Sequence, residues 1–263
     1  MTFTLSILPE LSSVTLLELS ATATSSTLNM NVDISALINL EIFKSPGNIG
    51  ISSLTNDLSN NINLKTINIG NCNIGGIIPD YSNVTTLSTI LFNTNSYVGL
   101  IPSLSSNTAL RDFRVHQNSL TGSIPSLSLN TALQNFVVTG NDLTGSIPSL
   151  SSNTALVSFY AQENSLTGSI PSLSLNTALR HFASSGNDLT GFTGSVTSTL
   201  LRFKANNNNL SATVVNAILA AFVAAGSSNG FLNVGGNNAA PTGQGLIDAQ
   251  TLRDRNWSVT VAP

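Results

Sequence analysis

A phrase of six residues recurs along this chain at a fixed interval. Leu-Thr-Gly-Ser-Ile-Pro begins at Leu120, Leu143 and Leu166, so each copy starts 23 residues after the previous one. Looser copies continue the series towards the N-terminus, and a ladder of prolines marks all of them: Pro79, Pro102, Pro125, Pro148 and Pro171. A period of roughly 20 to 50 residues is typical of solenoids, in which each unit contacts only its neighbours. The chain is therefore expected to fold as one stack of similar units.

Each unit contains a second set of repeated positions. The spacing Leu-x-x-Phe-x-Val-x-x-Asn-x-Leu is filled by Leu133, Phe136, Val138, Asn141 and Leu143, and later units keep the same columns. This spacing resembles that of the leucine-rich-repeat family, and the Leu-Thr-Gly-x-Ile-Pro half resembles its plant-type subclass. The resemblance covers about residues 14–210. It implies an α/β repeat fold, a right-handed solenoid with a parallel β-sheet on its concave face and few helices outside a C-terminal cap.

The columns predict what each position does in the stack. One short strand per unit cannot bury its own apolar face, so the units are expected to share a continuous core of about ten stacked strands. Glycine allows the chain to turn on the opposite side of the unit. The asparagines are expected to turn inward and to satisfy backbone groups, and Cys72, in the same column, is interpreted as a structural residue. An aromatic column is predicted to stack in the core: Phe113, Phe136, Phe159, Phe182 and Phe203.

Both ends of the chain depart from the repeat, which divides the chain into three parts. Residues 1–13 are a short apolar segment that we interpret as a docking edge. Residues 14–210 are the solenoid, and residues 211–263 are a capping region. No comparable cap precedes Val14, so the N-terminal end of the stack is expected to expose unpaired backbone groups and apolar surface.

The capping region is predicted to contain two helices and two strands. Ser211 is a good N-cap, and Gly226 a good C-terminal stop, for the first helix. A strand at Phe231 to Val234, a short helix near Gln244 to Arg253 and a strand at Trp257 to Val261 are expected to follow. This segment resembles the ends of leucine-rich-repeat proteins that are encoded by tailed bacteriophages and some bacteria.

The composition argues against several kinds of partner. Charged residues make up only 8% of the chain and the net charge is −3, so no strong field attracts nucleic acid or anionic lipid. The single cysteine cannot form an intramolecular disulfide. The longest apolar run, Val214 to Ala225, is shorter than the ~20 residues that span a bilayer, and the N-terminus lacks the basic region of a secretory signal peptide. Neither nucleic-acid binding nor membrane insertion is expected.

The motifs of the chain do not favour an enzyme. Gly226 to Gly230 fits the G-x-S-x-G hydrolase pattern, but that pattern needs a later histidine, and none follows His181. His116 and His181 fall three units apart, roughly 14 Å at the usual strand spacing, which is too far for them to share a metal ion. The chain is therefore predicted to be non-enzymatic, with no catalytic residue, no metal and no cofactor.

The positions between the apolar columns of each strand are predicted to face solvent on the concave sheet. These positions vary from unit to unit, as at Ser158, Tyr160 and Ala183, whereas the intervening turns are nearly identical. Seven of the nine Lys and Arg residues also occupy them. The candidate ligand-binding residues are Lys65, Arg111, Arg114, His116, Asn135, Tyr160, Gln162, Arg180, His181, Arg202 and Lys204. The alternative is that a strand surface simply needs some charge for solubility.

A varied, charged and partly aromatic face on a rigid sheet is typical of a recognition surface. With the bacteriophage resemblance, it implies a tail or virion adhesin that binds a host-surface glycan or protein through the concave sheet and is located on the virion. One alternative is a structural virion decoration or tail-fibre attachment protein. Another is a leucine-rich-repeat protein of the bacterial surface or a bacterial effector. The N-terminal segment is expected to dock on another virion protein or on a second copy of the chain.

Overall fold

One long parallel sheet dominates the computed structural model, which describes residues 2–5, 13–19, 29–48, 50–54 and 57–263. Within these ranges the chain forms twenty strands and two helices. Eleven of the strands form the long sheet, so the predicted parallel stack is confirmed. In spatial order they are β2 (Leu16–Glu18), β4 (Ile42–Lys44), β6 (Thr66–Asn68), β8 (Thr89–Leu91), β10 (Asp112–Arg114), β12 (Asn135–Val137), β14 (Ser158–Tyr160), β16 (His181–Ala183), β18 (Arg202–Lys204), β19 (Phe231–Asn233) and β20 (Ser258–Thr260).

The predicted aromatic column runs through the core behind the long sheet. Equivalent residues pair directly across the strands, so Phe113 lies beside Phe136 and Phe136 beside Phe159. Successive rings from Phe113 to Phe203 are stacked with their centroids 5.3–5.6 Å apart. All five rings are fully buried. The column therefore ties every unit of this region to its neighbours, as the sequence predicted.

A second layer of strands, which we call the lateral layer, lies where the Leu-Thr-Gly-Ser-Ile-Pro phrase falls. The sequence predicted only a turn there. Gly99 and Gly122 do adopt the positive φ of such a turn, at 79° and 73°, but they do so inside strands. The layer consists of β1 (Thr2–Leu5), β3 (Asn29–Val32) and β5 (Ile51–Leu54) in one sheet, β7 (Gly75–Ile77), β9 (Ser96–Leu100), β11 (Ser119–Ser123) and β13 (Asp142–Thr144) in a second, and β15 (Thr167–Ile170) and β17 (Asp188–Phe192) in a third.

The asparagine column joins each unit to the one before it. The Asn141 Nδ2 donates to the backbone oxygens of Val115 and Val138 at 3.1 and 3.0 Å. The Asn141 Oδ1 accepts from the backbone N–H of Leu120 at 3.0 Å. One side chain thus satisfies three backbone groups in two successive units, because the bend after each strand leaves those groups without a ladder partner. The predicted inward role of these asparagines is confirmed.

Cys72 replaces asparagine in this column and keeps part of its function. The Sγ is buried and donates to the backbone oxygen of Ser45 at 2.8 Å. Burial raises the pKa of the thiol above its ordinary value. A buried, protonated thiol that bonds to the preceding unit supports the structural interpretation of this residue.

A second asparagine ladder runs beneath the turns, and the sequence columns did not predict it. The Asn153 Nδ2 donates to the backbone oxygens of Leu127 and Asn130, each at 2.9 Å. Because both bonds reach the preceding unit, the ladder links each turn to the turn before it, whereas the first ladder links the bends that follow the strands. Its fully buried members are Asn61, Asn107, Asn130, Asn153 and Asn176.

The capping region contains the two predicted helices, α1 (Ala212–Ala225) and α2 (Gln244–Asp254). The Ser211 Oγ accepts from the backbone N–H of Val214, and Gly226 takes the left-handed conformation that ends α1. Strands β19 and β20 follow their predicted positions and continue the long sheet, which therefore has eleven strands instead of about ten.

The cap also closes the aromatic column. Phe222, on α1, meets the ring of Phe203 edge to face, with centroids 5.2 Å apart. Trp257 packs edge to face against Phe222, also at 5.2 Å, and its indole N–H donates to the backbone oxygen of Ser227 at 3.1 Å. The last rings of the stack are thus covered by side chains of the cap.

Most of the predicted N-terminal docking segment, residues 1 and 6–12, lies outside the described residues. Residues 2–5 form β1, which pairs in parallel with β3. Residues 2–5 therefore belong to the lateral layer and not to the long sheet, whose first described strand is β2. Leu16, at the start of β2, is 53% exposed.

Candidate binding face

The outer face of the long sheet is formed by alternation along each three-residue strand. The middle residue points into the core and the residues on either side point away from it. The chain shortly before and after each strand adds further outward positions. All eleven candidate residues lie at such positions and none is buried. Asn135, His181 and Arg202 are first in a strand, Arg114, Tyr160 and Lys204 are third, Lys65, Arg111 and Arg180 precede a strand, and His116 and Gln162 follow one.

These residues share one face but do not form one cluster. Lys65 precedes β6 and Arg180 precedes β16, so the two are roughly 24 Å apart at about 4.8 Å per strand. The face divides into Lys65 alone, a central group around β10, and a C-terminal group around β14 to β18.

Lys65 is balanced by a neighbouring carboxylate. Its Nζ lies 2.8 Å from the Glu41 Oε2, and both side chains are about half exposed. An ion pair in that setting contributes little to stability. On the binding face, the carboxylate of Glu41 neutralises the positive charge of Lys65, which was a predicted site residue.

One of the two arginines in the central group is also paired with a carboxylate. Arg114 forms a bidentate pair with Asp112, in which Nε and Nη2 donate to the two carboxylate oxygens at 2.7 and 2.9 Å. Both residues belong to β10, so the pair is held at one strand. Arg111, just before this strand, is exposed, and Asn135 is the in-register neighbour of Asp112 on β12. The sequence identified Arg114 as a site residue but missed the carboxylate two positions before it.

The C-terminal group begins with two stacked rings. Tyr160 and His181 lie on adjacent strands, with ring centroids 6.4 Å apart and planes 17° from parallel. Gln162, shortly after Tyr160, accepts a hydrogen bond from the Thr139 hydroxyl at 2.9 Å. Stacked aromatic rings and a fixed amide offer both apolar and hydrogen-bonding contacts to a partner.

Three cations follow these rings. Arg202 and Lys204 both lie over the ring of Phe231, with Cζ and Nζ at 5.3 and 5.6 Å from its centroid. Arg180 donates to the backbone oxygen of Thr199 at 3.0 Å. Phe231 was missed by the sequence analysis, although a signal existed. It is the first residue of a predicted strand whose second residue continues the buried column.

Both candidate histidines favour the neutral state. Burial lowers the pKa of His116 below 6.5, and the Arg114 guanidinium lowers it further. Burial also lowers the pKa of His181, with Arg202 and then Arg180 adding to the effect. In each ring the Nδ1 atom is buried and has no hydrogen-bond partner among the described residues. Protonation of either ring is therefore opposed by its surroundings.

We expect acid to destabilise the fold through these histidines. An unfolded histidine titrates near pH 6.5, whereas the folded state resists protonation until a lower pH. The stability that the neutral ring provides is thus present above about pH 6.5 and is lost as the pH falls towards the folded pKa. The variant His116→Gln copies Gln162 at the equivalent position. Its free energy of unfolding, measured with urea, should fall less between pH 7 and pH 5 than that of the wild type. An equal loss in wild type and variant would contradict this prediction.

Two predicted outward positions are corrected by the structure. Ser158 is only 9% exposed, and Ala183 is completely buried. The in-register neighbour of Ser158 is His181, and that of Ala183 is Tyr160. Because these neighbours carry much larger side chains, they shield the small residues beside them. Variation between units therefore does not by itself place a residue in contact with solvent.

The described ranges contain neither a candidate metal site nor a helix that could span a membrane. No three His, Cys, Asp or Glu side chains among those residues lie close enough together to hold a metal ion. Neither helix of this part of the chain is long and apolar enough to cross a bilayer.

Comparison with solved structures identifies the fold. No protein-family model matches the sequence, and no curated protein matches it either. The leucine-rich-repeat ectodomain of the receptor kinase GASSHO1/SCHENGEN3 from Arabidopsis thaliana, in complex with Casparian strip integrity factor 2, matches 93% of this chain with a TM-score of 0.58 and 21% identity. The fold is a leucine-rich-repeat solenoid. This solenoid spans 35% of the length of that ectodomain.

Two other plant proteins are similar to the chain in fold. The peptide hormone receptor RGFR1, in complex with RGF2, has a TM-score of 0.57 and 20% identity over 80% of this chain and 40% of its own. A plant ice-binding protein has a TM-score of 0.59 and 19% identity over 88% of this chain and 75% of its own. Identities this low establish the fold alone.

Proposed function

We propose that this leucine-rich-repeat chain is a non-enzymatic recognition protein that binds a protein or glycan through the outer face of the long sheet. The placement of charge carries the proposal, because seven of the nine Lys and Arg residues lie on this face. Rigid strands hold such side chains at fixed spacing, which reduces the ordering cost of binding. The similar receptors GASSHO1/SCHENGEN3 and RGFR1 were solved with ligands bound, which favours a protein partner over a glycan.

A binding screen with a matched pair of variants tests this proposal. The purified protein is screened against peptide arrays, glycan arrays and bacterial cell surfaces. Replacing Arg114, Tyr160 and Arg180 together by alanine should abolish the binding found. The melting temperature should change little, because Arg180 is exposed and Arg114 and Tyr160 are partly exposed. Substitutions outside the core usually cost less than ~0.5 kcal/mol each.

In the control variant, which we call the lateral variant, alanine replaces Thr121, Thr144 and Thr167, whose side chains are exposed on the lateral layer. It should bind the partner as wild type does. Undiminished affinity of the outer-face variant would sink the proposal, as would loss of binding in the lateral variant alone.

We propose further that the chain is a tail or virion adhesin of a bacteriophage, located on the particle, with a host-surface glycan or protein as its target. The resemblance of residues 211–263 to the ends of leucine-rich-repeat proteins encoded by tailed bacteriophages and some bacteria supports this, and so do the nearly identical units, which suit a gene that gains and loses copies. Mass spectrometry of purified particles should find the chain, and the outer-face variant should reduce adsorption to host cells. Presence in particles without any effect on adsorption would favour a decoration or tail-fibre attachment protein.

The N-terminal end of the solenoid is proposed as a docking edge for another virion protein or a second copy. Among the described residues, β2 is the first strand of the long sheet, and it exposes half of Leu16; a sheet edge presents unpaired backbone groups to a partner. Light scattering of the isolated chain should show self-association, or cross-links from the region of β2 should reach a neighbour in the particle. A monomer that makes no such contact in the particle would contradict the proposal.

Ice binding is a second candidate function, favoured by the lateral layer. Its strands expose hydroxyls in columns, among which the residues Thr121, Thr144, Thr167 and Thr190 are equivalent. A hydroxyl both donates and accepts hydrogen bonds, so a rigid array of them can hold a layer of ordered water. The similar plant ice-binding protein makes this testable. The wild-type protein should inhibit ice recrystallisation, and the lateral variant should not. If the wild-type protein does not inhibit ice recrystallisation, ice binding is excluded.

A further inference from the structure

Charge is divided unevenly along the outer face of the long sheet. The N-terminal strands carry both signs, with Glu18, Glu41, Lys44 and Lys65 on this face. In the centre, Asp112 neutralises Arg114, and Arg111 is the single cation of that group outside the ion pairs of the described residues. From β14 to β20 the outward strand positions hold cations and no carboxylate, and these cations are Arg180, Arg202 and Lys204. We call these three residues the cationic patch.

None of the three cations is neutralised within the described part of the chain. The ion pairs found there involve Lys65 and Arg114 but no member of the cationic patch. The acidic residue closest along the chain to this part of the face, Glu163, lies in the bend beyond β14 and is exposed. Like charges on adjacent strands repel one another. An anionic partner would relieve that repulsion, which gives the patch a preference for negative charge.

The patch is held in place by its neighbours. Phe231 lies beneath both Arg202 and Lys204, and a cation over an aromatic face is stabilised there by ~0.5–1 kcal/mol at an exposed site. One Arg180 nitrogen is fixed on the Thr199 backbone oxygen. The guanidinium of Arg180 has four further N–H donors available. Fixed cations with free donors recognise carboxylates better than mobile ones, because less side-chain freedom is lost on binding.

Aromatic rings bound the patch on both sides. The Tyr160–His181 stack lies towards the N-terminus and Phe231 towards the C-terminus. From β14 to β19 there are three strand spacings, roughly 14 Å. An extended peptide rises about 3.4 Å per residue, so about four of its residues would cross this distance.

We infer that the cationic patch binds an extended acidic peptide segment of the partner, which lies across strands β14 to β19. The inference rests on the proposed function, because it specifies what the outer face recognises. Carboxylates of the segment pair with Arg180, Arg202 and Lys204, and its apolar or aromatic side chains pack on Tyr160 and Phe231. The N-terminal half of the face has carboxylates of its own and does not attract the same segment. The acidic segment of the partner therefore binds at the C-terminal half of the face.

A synthetic peptide of six glutamates, labelled with fluorescein, tests the inference directly by anisotropy. The wild-type protein should bind it at least about tenfold more tightly than six glutamines, and added salt should weaken the binding. The double variant Arg202→Gln with Lys204→Gln should lose about tenfold in affinity, since both cations are removed. Lys44→Gln with Lys65→Gln, on the same face at the other end, is the matched control and should stay within about twofold of wild type.

Several outcomes would overturn the inference. Equal affinity for the glutamate and glutamine peptides would do so, and so would equal losses in the two double variants. Tight binding of heparin with no binding of the glutamate peptide would assign the patch to an anionic glycan instead. If a partner found in the screen depends on Arg114, Tyr160 and Arg180 but binds the Arg202→Gln, Lys204→Gln variant normally, the inference fails and the proposed function stands. If that partner depends on the lateral residues instead, the proposed function fails as well.

Discussion

Replacing Phe159 with alanine is expected to lower the free energy of unfolding by about 3–5 kcal/mol. The ring is fully buried and lies between Phe136 and Phe182, with centroids 5.6 and 5.3 Å away. Alanine would leave a cavity that the neighbouring units cannot fill, because each is fixed by its own strand pairing. Urea unfolding followed by circular dichroism measures the loss.

The control for this prediction is Leu175→Ala. Leu175 is also a large apolar residue of the repeat, but it is 57% exposed on a turn, and its replacement should cost less than ~0.5 kcal/mol. If Phe159→Ala lowered the free energy of unfolding by less than about 1 kcal/mol, the continuous aromatic core would be contradicted, because removing a ring that packs against neighbours on both sides costs more than that.

Replacing Asn187 with alanine is expected to cost about 2–4 kcal/mol, because buried backbone groups would lose their partners. Its Nδ2 donates to the backbone oxygens of Ala161 and Ser184 at 3.0 and 3.1 Å. Its Oδ1 accepts from the backbone N–H of Leu166 at 2.9 Å. The same urea titration measures the effect.

Two further variants separate this ladder bond from a general effect of losing an asparagine. Asn83 is exposed, so Asn83→Ala should cost less than ~0.5 kcal/mol. Asn187→Cys copies Cys72, whose thiol bonds to the preceding unit, and should fall between wild type and alanine. If Asn187→Ala were no more harmful than Asn83→Ala, the ladder would not contribute to the stability of the stack.

Regular periodicity explains why much of this fold could be predicted from the sequence. The aromatic and asparagine columns recur every 23 residues over several units, and a column that repeats in this way must occupy equivalent places in the stack. The positions of α1 and α2 were predictable for a different reason. Ser211 and Gly226 are strong local signals for helix ends, and they act within a few residues of themselves.

The lateral layer was missed because its strands depend on neighbouring units. Thr-Gly-Ser next to Ile-Pro has the composition of a turn, and Gly122 adopts the positive φ that a turn would require. The strand forms because β11 pairs with β9 and β13, and those contacts join residues about one repeat apart. A pattern read along one unit does not reveal such pairing.

The candidate face was predicted only in part, since its chemistry depends on contacts across strands. The alternation of side chains placed Tyr160 and Arg202 on the outer face correctly. It could not show that Asp112 neutralises Arg114, or that the neighbours of Ala183 shield it. Which cations remain available to a partner is decided by these contacts, and they become visible only when the units are stacked.

Site-specific photo-crosslinking measures most directly whether the outer face is the recognition surface. A benzophenone amino acid would be placed at Tyr160 on the outer face, at Thr144 on the lateral layer and at Leu175 on the turns, one position at a time. All three side chains are at least partly exposed, so each variant should fold. We expect the partner to be crosslinked from Tyr160 and not from Thr144 or Leu175. Adducts from Thr144 or Leu175 in the absence of any from Tyr160 would contradict binding through the long sheet.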